Sequence, residues 1–364
     1  MRILFLSSGP LVPSSRFRIQ PWVQRLRQDG HRAVVLHSFP AKYDYFPWMG
    51  FRPSQLLKRS VRWWHWLRSC LQRFDLVFID REIFDSESLE LELRFRESCG
   101  RLVLDLDDAV FLRYPDKFAR LVPQADLVVC GNSFLEDWAR PLNSRLLRIP
   151  TCVELARYTL RDWSVAGIGP GGPGGQGAQL PVIGWMGTTA NLQYLREAAQ
   201  ALRQLAEERR FELRLIVPDA SAVREMDLGR VSVTSRPWQA ATEIADLQQF
   251  DVGLMPLSDR EQWTIYKCGL KLIQYLAVGV PGVASAVGVN TEILAGDQGG
   301  YAVRSSDEWL GALRQLLDSV ELRRQQGLAG RRTVEERYAV EACYPRLRDA
   351  LLQLVSTGQR VRGR

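Results

Sequence analysis

Histidine is the scarcest chemistry-bearing residue of this chain, with three in 364 residues, at positions 31, 37 and 65. Three dispersed imidazoles argue against a His-rich metal centre. The six cysteines (70, 99, 130, 152, 268 and 343) include no Cys-x-x-Cys pair. Neither a disulfide framework nor a thiolate zinc site is therefore expected, and the reduced cytosol is the natural compartment. Charge of one sign does not dominate: 48 basic against 41 acidic residues give a net +7. That balance suits a phosphorylated ligand or an anionic surface, and it is too small to indicate nucleic acid, for which no motif appears. Long uninterrupted apolar runs are missing as well. The opening MRILFLSSGPLVPSS is too short in its apolar part for a signal peptide. Leu272–Val289 carries no charge but is interrupted by Pro281, three glycines, Gln274 and Ser285. A soluble protein is expected.

What is present is enough apolar material, 46% of the residues, for two ordinary cores. Apolar runs of strand length recur at Arg2–Leu6, His31–His37, Asp75–Asp80, Arg101–Asp105, Ala125–Cys130 and Leu146–Pro150. The series restarts at Pro181–Gly187, Phe211–Val217, Val231–Thr234 and Asp251–Met255. Helical patterns lie between them, including Arg18–Asp29 and a helix capped by Thr188 or Thr189 and running to about Arg210. This alternation predicts an α/β fold with parallel sheets. Between the two series, Gly167–Gln179 is almost entirely Gly, Pro, Gln and Ala. Its formal G-x-G-x-x-G (Gly167, Gly169, Gly172) follows no strand and opens no helix, so it reads as a linker rather than a dinucleotide loop. The expected divisions are residues 1–160, a linker at 161–180, a second domain at 181–341, a returning helix at 342–357 and a basic tail at 358–364 (Arg360, Arg362, Arg364).

The most informative stretch is Asp251–Leu294. A strand ends at Pro256, a polar loop carries Asp259, Arg260 and Glu261, and Lys267 and Lys271 follow at the spacing of one helical turn. On a helix these two would share a face, and two ammonium groups at a helix start suit a diphosphate. The segment Gln274-Tyr-Leu-Ala-Val-Gly279-Val-Pro281-Gly-Val-Ala-Ser285 resembles the donor-binding half of a family 4 glycosyltransferase with the GT-B fold. Many members carry Glu-(x)7-Glu there; in this chain Tyr266 and Gln274 occupy the two acid positions. Lys267-Cys268, Lys271 and Gln274-Tyr275 resemble a Lys-Cys-x-x-Lys-x-x-Gln-Tyr variant of that family. The resemblance covers nearly the whole chain outside the Gly-rich linker and the basic tail.

The resemblance implies two Rossmann-like domains facing a central cleft. The first would serve the acceptor and the second a nucleotide-sugar donor. The implied reaction moves a sugar from a nucleotide-diphosphate sugar to the hydroxyl of a glycan or lipid-linked acceptor, with retention, without metal and without a cofactor. Because the leaving diphosphate would help deprotonate the acceptor, the protein's task is to stabilise that diphosphate. Lys267 and Lys271 are the candidates, with Arg16 as a further cation. Gln274, Tyr266, Gly187, Thr188 and Trp238 are expected on the donor, Ser15 and Arg18 on the acceptor. Asp107 and Asp108, within the acidic Asp105-Leu-Asp107-Asp108, admit three readings: a contact to sugar or acceptor, a structural cap, or a metal-nucleotide Asp-x-Asp motif. Two rivals are kept: a binding protein that retained the fold and lost catalysis, supported by the two missing acids, and a GT-B nucleotide-sugar epimerase.

One further segment bears on partners. Arg52–Arg73 gathers Lys58, Arg59, Arg62, Arg68 and Arg73 around Trp63, Trp64 and Trp66, with Leu57, Val61, Trp64, Leu67 and Leu71 at helical spacing. Such a helix could lie on an anionic bilayer as a peripheral membrane contact. The simpler expectation is that its apolar stripe packs on the first sheet.

Overall fold

The computed structural model of the chain describes residues 1–164, 180–221, 223 and 226–362. The apolar runs form two parallel sheets of six strands each. They belong to two units, the first made of Met1–Cys152, Tyr266–Cys268 and Val340–Arg364, the second of Val153–Ile265 and Gly269–Ala339.

In the first unit the strands are β1 (Arg2–Ser7), β2 (Arg32–His37), β3 (Leu76–Asp80), β4 (Leu102–Leu106), β5 (Leu127–Cys130) and β6 (Leu146–Arg148), in the order β2-β1-β3-β4-β5-β6. Helices α1 (Pro13–Arg18), α2 (Gln20–Gln28), α3 (Phe51–Gln72), α4 (Glu90–Cys99), α5 (Pro115–Leu121) and α6 (Ser133–Ala139) connect them. Strands β3, β4 and β5 are buried throughout, as parallel strands covered on both faces must be. Each Leu, Val or Phe fully buried there contributes on the order of 1.5–3 kcal/mol. The helix expected over Arg18–Asp29 is α2, and it starts two residues late because the short α1 ends at Arg18 and the chain breaks at Ile19 (φ −120°, ψ −58°). Pro21 explains the break, because a residue without an N–H belongs in the first turn of a helix, not within one.

In the second unit, β7 (Val182–Met186), β8 (Glu212–Ile216), β9 (Ser232–Arg236), β10 (Val252–Met255), β11 (Gly282–Ser285) and β12 (Gly300–Val303) are ordered β12-β11-β10-β7-β8-β9. The helices are α7 (Arg196–Glu208), α8 (Glu243–Gln248), α9 (Gln262–Ile265), α10 (Leu270–Ala277), α11 (Asn290–Ile293), α12 (Ser306–Asp318) and α13 (Val320–Arg337). The last helix, α14 (Val340–Arg362), belongs to the first unit and packs Val340, Cys343, Tyr344, Leu347 and Leu351 into that unit's core. Residues 165–179, with the Gly167, Gly169 and Gly172 pattern, lie outside the described residues, as does Arg364 at the end of the basic tail. Thr188 and Thr189 make no helix cap. A 3₁₀ turn over Thr189–Leu195 comes first, and α7 begins only at Arg196.

Helix α3 reverses the expected orientation. Its buried residues are Ser54, Lys58, Arg62, His65 and Ser69, whereas Trp64, Leu67 and Leu71 face outward. The cause is the demand for hydrogen-bond donors at the ends of β1 and β2. Arg62 donates to the carbonyls of Ser7 (2.6 Å) and Leu36 (3.0 Å), and Lys58 to those of Lys42 (2.5 Å) and Asp44 (3.1 Å). A carbonyl oxygen has two lone pairs, so the Ser7 carbonyl takes the Arg62 bond beside the one from Ser38 N (2.9 Å), and the long cationic side chains turn inward to make such charge-assisted bonds.

Candidate functional site

In open parallel sheets, ligand crevices lie beyond the carboxyl ends of strands where the strand order reverses. The first unit reverses between β1 and β3. Strand β1 runs out at Ser7, and the loop that follows is fastened to the end of β3. Ser14 Oγ donates to Asp80 Oδ2 (2.9 Å), Ser8 N to the same oxygen (3.1 Å), and Ser7 Oγ to Ser15 Oγ (2.6 Å). Arg18 lies fully buried beneath this loop. Its Nε and Nη2 grip both Asp105 oxygens (2.7 and 2.6 Å), and its Nη1 donates to the Ile149 carbonyl (3.0 Å). Ser15 is buried as well. Both were expected on an acceptor; both are turned inward and hold the loop, so they are positioning residues.

Of the three aspartates after β4, Asp105 is sealed in the core. Burial pushes its carboxyl up to about 6 against the pull of Arg18. Asp107 is gripped by Arg81 through both oxygens, one bond measuring 3.0 Å. Burial would raise the Asp107 carboxyl, but the Arg81 guanidinium outweighs it and holds the group below its ordinary value. Arg81 itself sits at φ +61°, a strained left-handed position at the end of β3. Asp108 is half-buried and accepts from the neighbouring Ala109 N–H (3.0 Å). Arg16 is half-buried and lies over the Phe17 ring at 5.0 Å. Among the described residues no group of three or more His, Cys, Asp or Glu is placed to hold a metal ion.

Tyr266–Cys268 is spliced into this unit by Asn132. That side chain caps α6, accepting from Leu135 N, while its Nδ2 donates to the Tyr266 carbonyl (2.8 Å). Cys268 Sγ donates to the Asp107 carbonyl (3.2 Å), and burial pushes the thiol up to about 12, so it is a neutral donor rather than a nucleophile. The Tyr266 ring meets Phe111 edge-on at 5.0 Å, and Phe111 stacks on Trp138 at 3.7 Å. This splice overturns the expected lysine pair. Lys267 is in non-helical chain after α9, and Gly269 (φ +65°) separates it from α10, where Lys271 is the second residue. The two lysines do not share a helix face, because the left-handed glycine ends the helical spacing on which that expectation rested.

The second unit reverses between β7 and β10. Gly187, directly after β7, lies under the Lys271 side chain: a Cβ there would come within 2.7 Å of Lys271 Cε and 2.6 Å of the Trp185 ring. Lys271 Nζ sits 5.6 Å from the centre of the Trp185 ring, which is buried in β7. A glycine backbone under an ammonium group, at a strand end, can approach an anion closely. The loop after β10 is tied to the turn after β7 by Tyr194 Oη donating to Glu261 Oε2 (2.6 Å). Thr188 is exposed and accepts from Asn191 Nδ2 (2.9 Å). Trp238 is half-buried two residues beyond β9. Gln274, expected at a ribose, is buried, and its Nε2 is taken up by Glu243 and by Tyr158 Oη (2.9 Å). It anchors α10 and does not present an amide to a ligand. Tyr275 Oη accepts from Met186 N (3.1 Å), fixing the same helix to β7.

Sequence reasoning missed Arg81, Asn132, Trp185, Tyr158 and Glu243. Asn132 had a local signal, since Asn before Ser-Phe-Leu-Glu is a helix N-cap pattern. The others act through partners remote in sequence.

The fold defines a class. Sucrose-phosphate synthase of Thermosynechococcus elongatus shares 14% identity over 98% of this chain and 100% of its own, with a TM-score of 0.72. A glycosyltransferase of Rickettsia africae shares 13% over 97% and 98% (TM-score 0.67). The Anabaena protein HepE, in complex with UDP and glucose, shares 13% over 96% and 99% (TM-score 0.64). The chain thus has the GT-B architecture of glycosyltransferases. Residues 180–319, which apart from Tyr266–Cys268 lie within the second unit, match the family model of the glycosyl transferases group 1. No curated protein matches it.

Proposed function

We propose that the chain moves a sugar from a nucleoside-diphosphate sugar to the hydroxyl of a glycan or lipid-linked acceptor, with retention and without metal. The observation that carries this reading is the match of residues 180–319 to the group 1 glycosyltransferases. Lys271 over Gly187 supports it, because that pair offers what a departing diphosphate needs. In the proposed step the bond from the anomeric carbon to the diphosphate oxygen breaks, and the acceptor oxygen bonds that carbon on the same face. The acceptor proton passes to the diphosphate. Lys271 neutralises charge as it grows on the leaving group. On the first unit, Arg16, Asp108 and Lys267 are half-buried and are proposed to contact ligand; Trp238, Thr188 and Gly187 are proposed for the donor on the second. The first unit is read as the acceptor domain, the second as the donor domain, and the cytoplasm as the compartment.

HepE is crystallised with UDP-glucose, which makes uridine nucleotides the first donors to test. Thermal unfolding with UDP, GDP, ADP and their common sugar conjugates, with and without Mg²⁺, should show stabilisation by one nucleotide series regardless of metal. Lys271→Ala should lower kcat for hydrolysis or transfer of that sugar by about 100-fold or more while the melting temperature holds. Stabilisation in the absence of any turnover would favour the non-catalytic rival, and normal turnover by Lys271→Ala would remove Lys271 from the mechanism.

A further inference from the structure

We propose that the outward face of α3 docks on an anionic phospholipid bilayer. Because this surface lies wholly in the first unit, the inference does not depend on which sugar the enzyme transfers. The observation is the inverted helix. Over 22 residues α3 has no acidic side chain, and Lys58, Arg62 and His65 are buried. What remains outside is an apolar ridge of Leu56, Trp64, Leu67 and Leu71, the last 80% exposed.

At 100° per residue, Leu56, Leu67 and Leu71 fall within one narrow arc, with Trp64 at its side. Arg59 flanks the arc on one edge and Arg68 on the other, Arg68 lying over the Trp64 ring at 5.8 Å. The loop before α3 carries further aromatic side chains of its own: Tyr45 meets Phe51 at 6.0 Å, and Trp48, 79% exposed, stacks on Phe46 at 5.8 Å. Exposed apolar side chains at this density on one helix are not ordinary monomer surface.

Charge and shape choose the occupant. The ridge is convex and edged by guanidinium groups on both sides, the arrangement that places Trp and Leu among acyl chains and Arg at phosphate headgroups. A second copy of the chain would bring the same arginines face to face, which like charge opposes. Among the described residues no helix is long and apolar enough to cross a membrane, so the contact would be peripheral.

The test is co-sedimentation of the full chain with phosphatidylcholine vesicles, with and without phosphatidylglycerol. The wild type should pellet with the anionic vesicles only, and less as salt is raised. Trp64→Ser combined with Leu67→Ser should lower partitioning by about tenfold or more, since the hydrophobic term is lost while the fold is untouched. Arg59→Gln with Arg68→Gln should lower it too. Leu352→Ser, a change at an exposed leucine of α14, should leave it unchanged. Absence of pelleting with anionic vesicles would overturn the proposal. So would unchanged binding by the Trp64/Leu67 variant, or light scattering that shows a wild-type dimer which this variant dissolves. Nucleotide-sugar turnover in detergent-free buffer, measured on the same variants, separates a failure here from a failure of the transferase reading.

Discussion

In the first unit, charged side chains are sealed inside: Arg18 with Asp105, Lys42 with Glu82 and Lys117 with Glu92 have almost no exposed side-chain surface. The second unit closes its sheet by bringing aromatic rings onto bare backbone. A Cβ on Gly184 of β7 would fall 2.1 Å from the Phe250 ring, and one on Gly253 of β10 would fall 2.4 Å from Tyr275. Its comparable charged group, Asp251 between Arg161 and Arg323, is looser, at 3.2 and 3.6 Å. The same parallel architecture is thus held by two chemistries with opposite tolerances. A buried ion pair can be exchanged for apolar side chains of like volume but not broken. A glycine under a ring admits no exchange, because no larger residue fits.

Two substitutions sharpen that contrast. The largest effect is expected from Gly184→Val, which drives a branched side chain into Phe250. The second unit should fail to fold, seen as insoluble protein or loss of one calorimetric transition; a melting temperature within a few degrees of wild type would break the comparison. Next comes Asp105→Ala, which strands the buried Arg18 guanidinium and should cost about 3–5 kcal/mol in denaturant unfolding of the first unit. The double change Arg18→Met with Asp105→Leu should recover most of that loss. If it is as unstable as the single change, the pair is needed for more than charge balance.

Most strands were legible in the sequence because they are runs of Val, Ile, Leu or Phe bounded by polar residues, and β1, β3 and β10 lie within a residue of where that pattern puts them. The exposed β9 (Ser-Val-Thr-Ser-Arg) and the half-buried β12 (Gly-Tyr-Ala-Val) lack that signal. Two residues expected in one site from their strand-end loops, Gly187 and Lys271, do come together. Three things were not legible. Spacing alone put Lys267 and Lys271 on one helix, and only the left-handed Gly269 shows why they are not. Periodicity identified an apolar stripe on α3 but not its direction, which is set by carbonyls at Ser7 and Leu36 in other strands. Arg18 and Asp105 stand 87 residues apart, and nothing local in either marks the other as its partner.

The smallest expected effect separates the inner face of α3 from the glycine-packed unit by pH. Burial, with Arg62 and Arg68 nearby, lowers His65 from its ordinary 6.5 to about 4. Below 6.5 the unfolded chain takes up a proton that the folded chain refuses, so stability contributed by neutral His65 is complete above 6.5 and is lost progressively as pH falls toward 4. His31 and His37 are lowered as well and add in the same direction. All three lie in the first unit, and the second unit contains no histidine. Asp105 of the same unit opposes this, because its carboxyl, pushed up to about 6, takes up a proton in the folded chain that the unfolded chain refuses. The histidine contribution is therefore read against His65→Gln: acidification from pH 7 to 5 should lower the first unit's melting temperature less in that variant than in wild type. An equal acid shift in wild type and His65→Gln would mean that His65 is protonated in the folded chain, and that the inner face of α3 admits a charge that its buried cations should exclude.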